Sequence, residues 1–180
     1  KKNGEKTTVI GFSFNGLTAI NSTRGREYGD RLLKRVADAL MEKLSWKMSF
    51  YRLEGARCMA IVNPVCVEEG QESLVQQIRD TVRASYDGMD ISVQNPCSCG
   101  VIQYPSEDMA EEDLVENLVS LIRVAKQESK QSFVDYSARS IQKIKEMSNL
   151  ALALSQDVDN NMENFRIVVQ PVVSAGDGRA

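Results

Sequence analysis

Residues 51–62 read YRLEGARCMAIV. Tyr51-Arg52-Leu53 and Cys58–Val62 have the outline of two short strands, with Glu54-Gly55-Ala56-Arg57 as a tight turn between them. A turn between two buried strands is a common place to hold an active-site acid. Such an acid would bind a hard divalent cation through its oxygens or move a proton. Here Ala56 and Arg57 stand where an acid would be useful, and Glu54 precedes them. Three readings follow: an active site, a site that has lost its acids, or a solvated hairpin turn.

Other reactive side chains are few. The chain has no histidine, which removes His-dependent triads, histidine general bases and most zinc sites. The four cysteines are Cys58, Cys66, Cys97 and Cys99. Cys97 and Cys99 are separated by one residue, the wrong spacing for a CxxC redox or zinc motif. Most of the cysteines lie in apolar, strand-like runs and read as free, buried thiols.

The totals fit one globular domain with a short addition. The chain has 180 residues, 42% of them hydrophobic and 26% charged, with a net charge of −3. Without a basic stripe, general binding to nucleic acid is not expected. No run of about 18 apolar residues offers a membrane span. The N-terminal KKNGEKTT has no apolar stretch after its lysines and does not resemble a signal peptide. The segment is expected to be cytoplasmic and to make no membrane contact, whatever else a parent protein carries.

The elements that must position the turn are legible from periodicity. TVIGFSFN, 8–15, reads as a buried strand broken by Gly16. Leu32, Leu33, Val36, Ala37, Leu40 and Leu44 recur at three and four, predicting a helix from about Glu27 to Lys43. Residues 47–53 and 57–63 form the hairpin, ended by Asn63-Pro64. A second helix is predicted over Ser73–Ala84, with Leu74, Ile78 and Val82 on one face. Residues 90–94 and 97–103 read as strands, interrupted at Asn95-Pro96. A third helix runs from about Ala110 to Gln127, with Leu118, Leu121 and Ile122 inward, and 132–136 is a short final strand.

Helices interleaved with strands that include a hairpin predict an α+β fold of the βαββαβ type, one mostly antiparallel central sheet flanked by helices. Residues 137–162 predict a C-terminal connecting helix: Ile141, Ile144, Met147, Leu150, Ala151, Leu154 and Val158 approach heptad spacing. That apolar face must pack on the domain, on a following domain or on a second chain. FRIVVQPVV, 165–173, then reads as a new strand, the severed beginning of another domain.

Several stretches share one register with the GGDEF family, the diguanylate cyclase domains of bacterial signalling. FSFNGLTAINSTRGREYGD, 12–30, resembles the family's I-D-x-D-x-F-K-x-I-N-D-x-x-G-H-x-x-G-D pattern, with Ile20, Asn21, Gly25, Gly29 and Asp30 in place. YRLEGARC, 51–58, sits where the family has its R-L-G-G-D-E-F hairpin. CSCGVIQYP resembles the S-x-G-x-x-x-x-P strand, and VAKQESKQSFVDY, 124–136, the closing A-K-x-x-G-(K/R)-N segment. The tail resembles the opening of an EAL domain, the cyclic-di-GMP phosphodiesterase module, through Phe165, Gln170, Pro171 and Gly178. The resemblance implies a nucleotide-cyclase-like fold, a degenerate GGDEF domain over 1–136, a connecting helix over 137–162 and a truncated EAL beginning over 163–180.

In the family, a 3′-hydroxyl of one GTP attacks the α-phosphate of another across two facing domains. Divalent metal held by acids neutralises the phosphates and activates the hydroxyl. Carried over, the acid positions are Ser13, Ala56 and Arg57, none a carboxylate. The signature positions are Glu54, Gly55, Ala56, Arg57 and Cys58. Glu54 stands at a glycine position, where a side chain would crowd a close approach of backbone to ligand. No catalytic residue and no metal site are therefore expected, and no cofactor is required.

The family's guanine-reading Asn and Asp map to Asn21 and Asp30; its phosphate-binding cations map to Lys126 and Lys130, with Ser129 for the usual Gly. The plainer alternatives are that Asp30 starts the helix of Arg31 onward, that Asn21 satisfies a loop, and that the lysines are solvated or serve a helix dipole. Arg57 could itself replace the metal as a counter-charge, giving metal-independent GTP binding. The product-inhibition motif R-x-x-D falls on Ser45-Trp46-Lys47-Met48, so feedback binding of cyclic-di-GMP there is not expected. The expected function is a catalytically silent regulatory domain that modulates an adjoining EAL domain, with GTP and a homodimer as candidate partners. The alternatives are a structural or partner-binding domain with no nucleotide, and an active cyclase with an altered metal site.

Overall fold

The computed structural model describes residues 6–88, 95–106, 109–128, 133–162 and 165–166. The strand expected over 90–94, Ser129, Lys130 and most of the EAL-like tail lie outside these residues.

In chain order the elements are β1 (Thr7–Phe14), α1 (Leu17–Arg24), α2 (Arg26–Leu44), β2 (Met48–Arg52), β3 (Arg57–Val62), α3 (Gln71–Ala84), β4 (Cys97–Tyr104), α4 (Leu114–Gln127), β5 (Val134–Asp135) and α5 (Ala138–Asp159). One five-stranded sheet has the order β2-β3-β1-β4-β5. All pairs are antiparallel except β4–β5. This is the α+β architecture that the periodicity predicts.

β1 is central and buried from Thr8 to Phe14, which explains its nearly unbroken apolar run. Its residues alternate between two helical layers. Ile10, Phe12 and Phe14 join Ala60, Val62, Cys99 and Val101 in the core under α2 and α3. Leu32, Val36 and Leu40 of α2 and Leu74, Ile78 and Val82 of α3 close that layer. On the other face Gly11 and Gly100 are paired in register, and α4 lies directly over them. A Cβ at Gly100 would stand 2.6 Å from Leu121 Cβ and 3.2 Å from the Ile122 backbone nitrogen. The glycines let a helix rest on the backbone itself.

Two helical pieces depart from the sequence expectation. Residues 17–24 form α1, which buries only Ile20; its short, weakly amphipathic pattern hides it from a periodicity search. Gly16 and Gly25, at φ +81° and +87°, bracket it and free α2 to begin at Arg26. Pro64–Glu69 form a 3₁₀ turn whose start is capped by the Asn63 side chain. In α4 the α-helical part begins at Leu114, after a 3₁₀ turn over Glu111–Asp113.

Contacts divide the chain into two units, Lys1–Ile144 and Lys145–Ala180. In the first, α5 begins at a reciprocal Ser137–Ser140 pair, with Ser137 N donating to Ser140 Oγ at 2.8 Å. Lys143 there is ion-paired with Glu128. In the second, Leu150, Leu152, Leu154 and Val158 are exposed.

Candidate functional site

The hairpin turn is built by backbone bonds from Leu53 N to Arg57 O (3.0 Å) and from Arg57 N to Glu54 O (2.9 Å). Gly55 takes φ +59° at the first central position, where hairpin turns favour glycine. Phe14 N donates to Ala56 O at 3.1 Å, so the end of β1 is stitched to the turn. Arg57 is thereby fixed opposite Ser13, and Ser13 opposite Ser98. These residues share the sheet face of Gly11, the face that α4 covers.

α4 delivers Lys126 from its last turn. The Lys126 ammonium is held below the ordinary lysine range, by desolvation first and by the Arg57 guanidinium second. Glu54 does not offset this pair of cations. Its side chain is 89% exposed and meets Arg57 Nη1 only at 3.4 Å, a screened surface contact. Glu54 projects into solvent from the turn.

This donor set does not fit a divalent cation: it comprises a buried serine, an alanine, an arginine and a lysine. Among the described residues no group of three or more Cys, Asp or Glu is placed to hold a metal ion. Hydroxyls, a guanidinium and an ammonium are hydrogen-bond donors, and they suit an anion.

Asn15 adds a residue that the sequence reading passed over. Its Nδ2 donates to Ser98 Oγ (3.0 Å) and to Asn95 O (3.1 Å), and Tyr86 donates its hydroxyl to Asn15 O at 3.2 Å. Burial, then Cys97, pushes the Tyr86 hydroxyl up to about 12, so it stays a donor. The signal was present: the second acid of I-D-x-D falls on Asn15.

Asn21 packs against Gly29, the residue before Asp30. Asn21 lies in α1 rather than a loop, and its Oδ1 is buried without a hydrogen-bond partner. It rests against Gly29 of α2, where a Cβ would collide with Oδ1. Asp30 follows directly, exposed. The expectation that Asp30 starts its helix is corrected: Gly25 holds the cap position, and Asp30 is inside α2. Lys47, in the window 45–48, is tied to Glu69 at 2.6 Å, with its ammonium 4.8 Å from the Trp46 ring centroid.

No curated protein matches the chain. Solved structures share its fold. An EAL/GGDEF domain protein from M. capsulatus is 18% identical, with a TM-score of 0.63 over 76% of this chain and 88% of that one. The active GGEEF domain of a diguanylate cyclase from Vibrio cholerae is 19% identical, with a TM-score of 0.58 over 74% and 84%. The S helix–GGDEF–EAL portion of LapD from Vibrio cholerae is 17% identical, with a TM-score of 0.57 over 73% and 30%. The family described as diguanylate cyclase, GGDEF domain, matches residues 1–132, and with most of its length inside that match the chain belongs to the GGDEF family.

Proposed function

We propose that this domain is a catalytically silent regulatory module of a bacterial cyclic-di-GMP signalling protein, and that it binds GTP without metal. The observation that supports it best is the pairing of Ser13 with Arg57, beside Lys126. Fixed cations there take over the neutralisation of phosphate that metal and acids perform in the family. The exposed carboxylate of Asp30 supplies an acceptor for a guanine edge, whose N1–H and N2–H₂ are donors, and the orphan Asn21 Oδ1 supplies a second once its side chain turns out from Gly29. Nucleotide occupancy would then modulate an EAL domain downstream, in the cytoplasm.

Calorimetry with GTP, with and without magnesium, tests binding; product analysis tests catalysis. Saturable binding in EDTA with no cyclic-di-GMP formed is the expected result. Cyclic-di-GMP above background would overturn the silent reading, and no heat at millimolar GTP would overturn the binding reading.

The exposed Leu150, Leu152, Leu154 and Val158 favour a second reading, a domain that works by protein contact alone, through a homodimer or an adjoining domain. It predicts no response to nucleotide.

A further inference from the structure

A cavity of about 230 Å³ opens between α2 and the β2–β3 hairpin. Its floor is aromatic. Phe12 packs edge-on to Phe14 (centroids 5.8 Å apart) and to Phe50 (6.3 Å). Leu33, Ala37 and Met41 form the α2 wall, and Cys58 and Arg52 close the hairpin side. Asn21, Asp30, Arg57 and Lys126 do not line it.

The origin of the space lies in the signature itself. Cys58 occupies the position of the final Phe of R-L-G-G-D-E-F, and its register partner is Phe12. A phenyl ring at position 58 would face the same layer as Phe12 and Phe50. Cysteine leaves that volume empty. An apolar cavity of about 150 Å³ is enough to take up benzene, and this one is larger and open at its rim.

The rim is charged. Arg52 is exposed and donates only to the Gly55 carbonyl, at 3.3 Å; among the described residues it has no carboxylate partner. Its charge reaches the groove, where it opposes the burial that raises the Cys58 thiol. An apolar slot for one flat ring beside an uncommitted guanidinium selects its ligand by shape and by charge.

We propose that this groove binds a small aromatic carboxylate, with the ring in the space that Cys58 leaves and the carboxylate on Arg52. Gly55 and Cys58 of the signature border the groove, but Asn21, Asp30, Arg57 and Lys126 do not line it, and the proposal does not depend on GTP binding.

The test is a titration of the chain with indole-3-acetate, with indole and acetate as comparisons, by calorimetry and amide NMR. Saturable binding of indole-3-acetate is expected, tighter than indole, with shifts at Phe50, Cys58 and Met41. Cys58→Phe refills the slot and should weaken binding about tenfold or more while raising the melting temperature, which shows that the variant folds. Arg52→Gln should remove the preference for indole-3-acetate over indole. In the wild-type chain, bound ligand should slow alkylation of Cys58, the one cysteine that is not fully buried. No saturable binding at about 10 mM, a value beyond the useful affinity range, would overturn the proposal. So would undiminished binding to a folded Cys58→Phe, or loss of binding in Asn21→Ala with Cys58→Phe unaffected.

Discussion

At one end of the sheet the guanidinium of Arg57 acts on the ammonium of Lys126, and after desolvation it is the second cause that holds the Lys126 amine below its ordinary range. Two like charges at a partly desolvated site are a standing cost that an anion removes. The sign of the linkage follows. Folded Lys126 loses its proton at lower pH than unfolded Lys126, so the unfolded chain binds more protons in that window. Stability therefore rises with pH from the depressed value toward the ordinary lysine value near 10.5. Arg57→Gln should move the Lys126 titration upward, read by NMR of the lysine side chain. An unchanged titration would assign the shift to desolvation alone.

The same pair sets an expectation for ligand binding. Arg57→Gln should weaken GTP binding by roughly 1.5–3 kcal/mol, the size of one hydrogen bond to a charged group. In the wild-type chain, GTP affinity should fall as pH rises through the depressed Lys126 value, since the neutral amine no longer attracts phosphate. Calorimetry across alkaline pH, in wild type and Lys126→Gln, separates this loss from general effects of pH. The variant should bind weakly with a flat profile.

Gly29→Ala probes the other half of the site. A methyl group there collides with Asn21 Oδ1, so the Asn21 side chain must turn aside and the α1–α2 contact must give. Overpacking of this kind costs about 1–3 kcal/mol, measurable by urea unfolding. GTP affinity should fall further than in Leu40→Ala, a substitution that damages the same helix without moving Asn21.

Much of this arrangement was legible in the sequence because burial imposes period. β1 and the inward stripes of α2, α3 and α4 announce themselves, since a misplaced apolar face would cost several kcal/mol. α1 did not, because one buried residue, Ile20, is enough to hold eight residues once Gly16 and Gly25 set the corners. At the site, motif spacing located Ser13, Arg57 and Asn21. It could not reveal that Arg57 and Lys126 converge, because their juxtaposition depends on the strand register and on α4 lying over Gly11 and Gly100. Nor could spacing reveal the groove, since an absent ring shows as a cavity only when its neighbours are in place.

The last expectation concerns what covers α5. Leu118 is fully buried over β1, and Leu118→Ala should cost about 2–5 kcal/mol through lost contacts and a residual cavity. Leu150 is 61% exposed, and leucine and alanine have similar helix propensity. Leu150→Ala should therefore change stability by no more than about 0.5 kcal/mol in this chain. Both are read from urea unfolding at low protein concentration. Raising the concentration then distinguishes the occupants of that face. If a second copy covers it, the cost of Leu150→Ala grows with concentration, because association stabilises by mass action. If the face is reserved for a different protein segment, the cost stays small at every concentration.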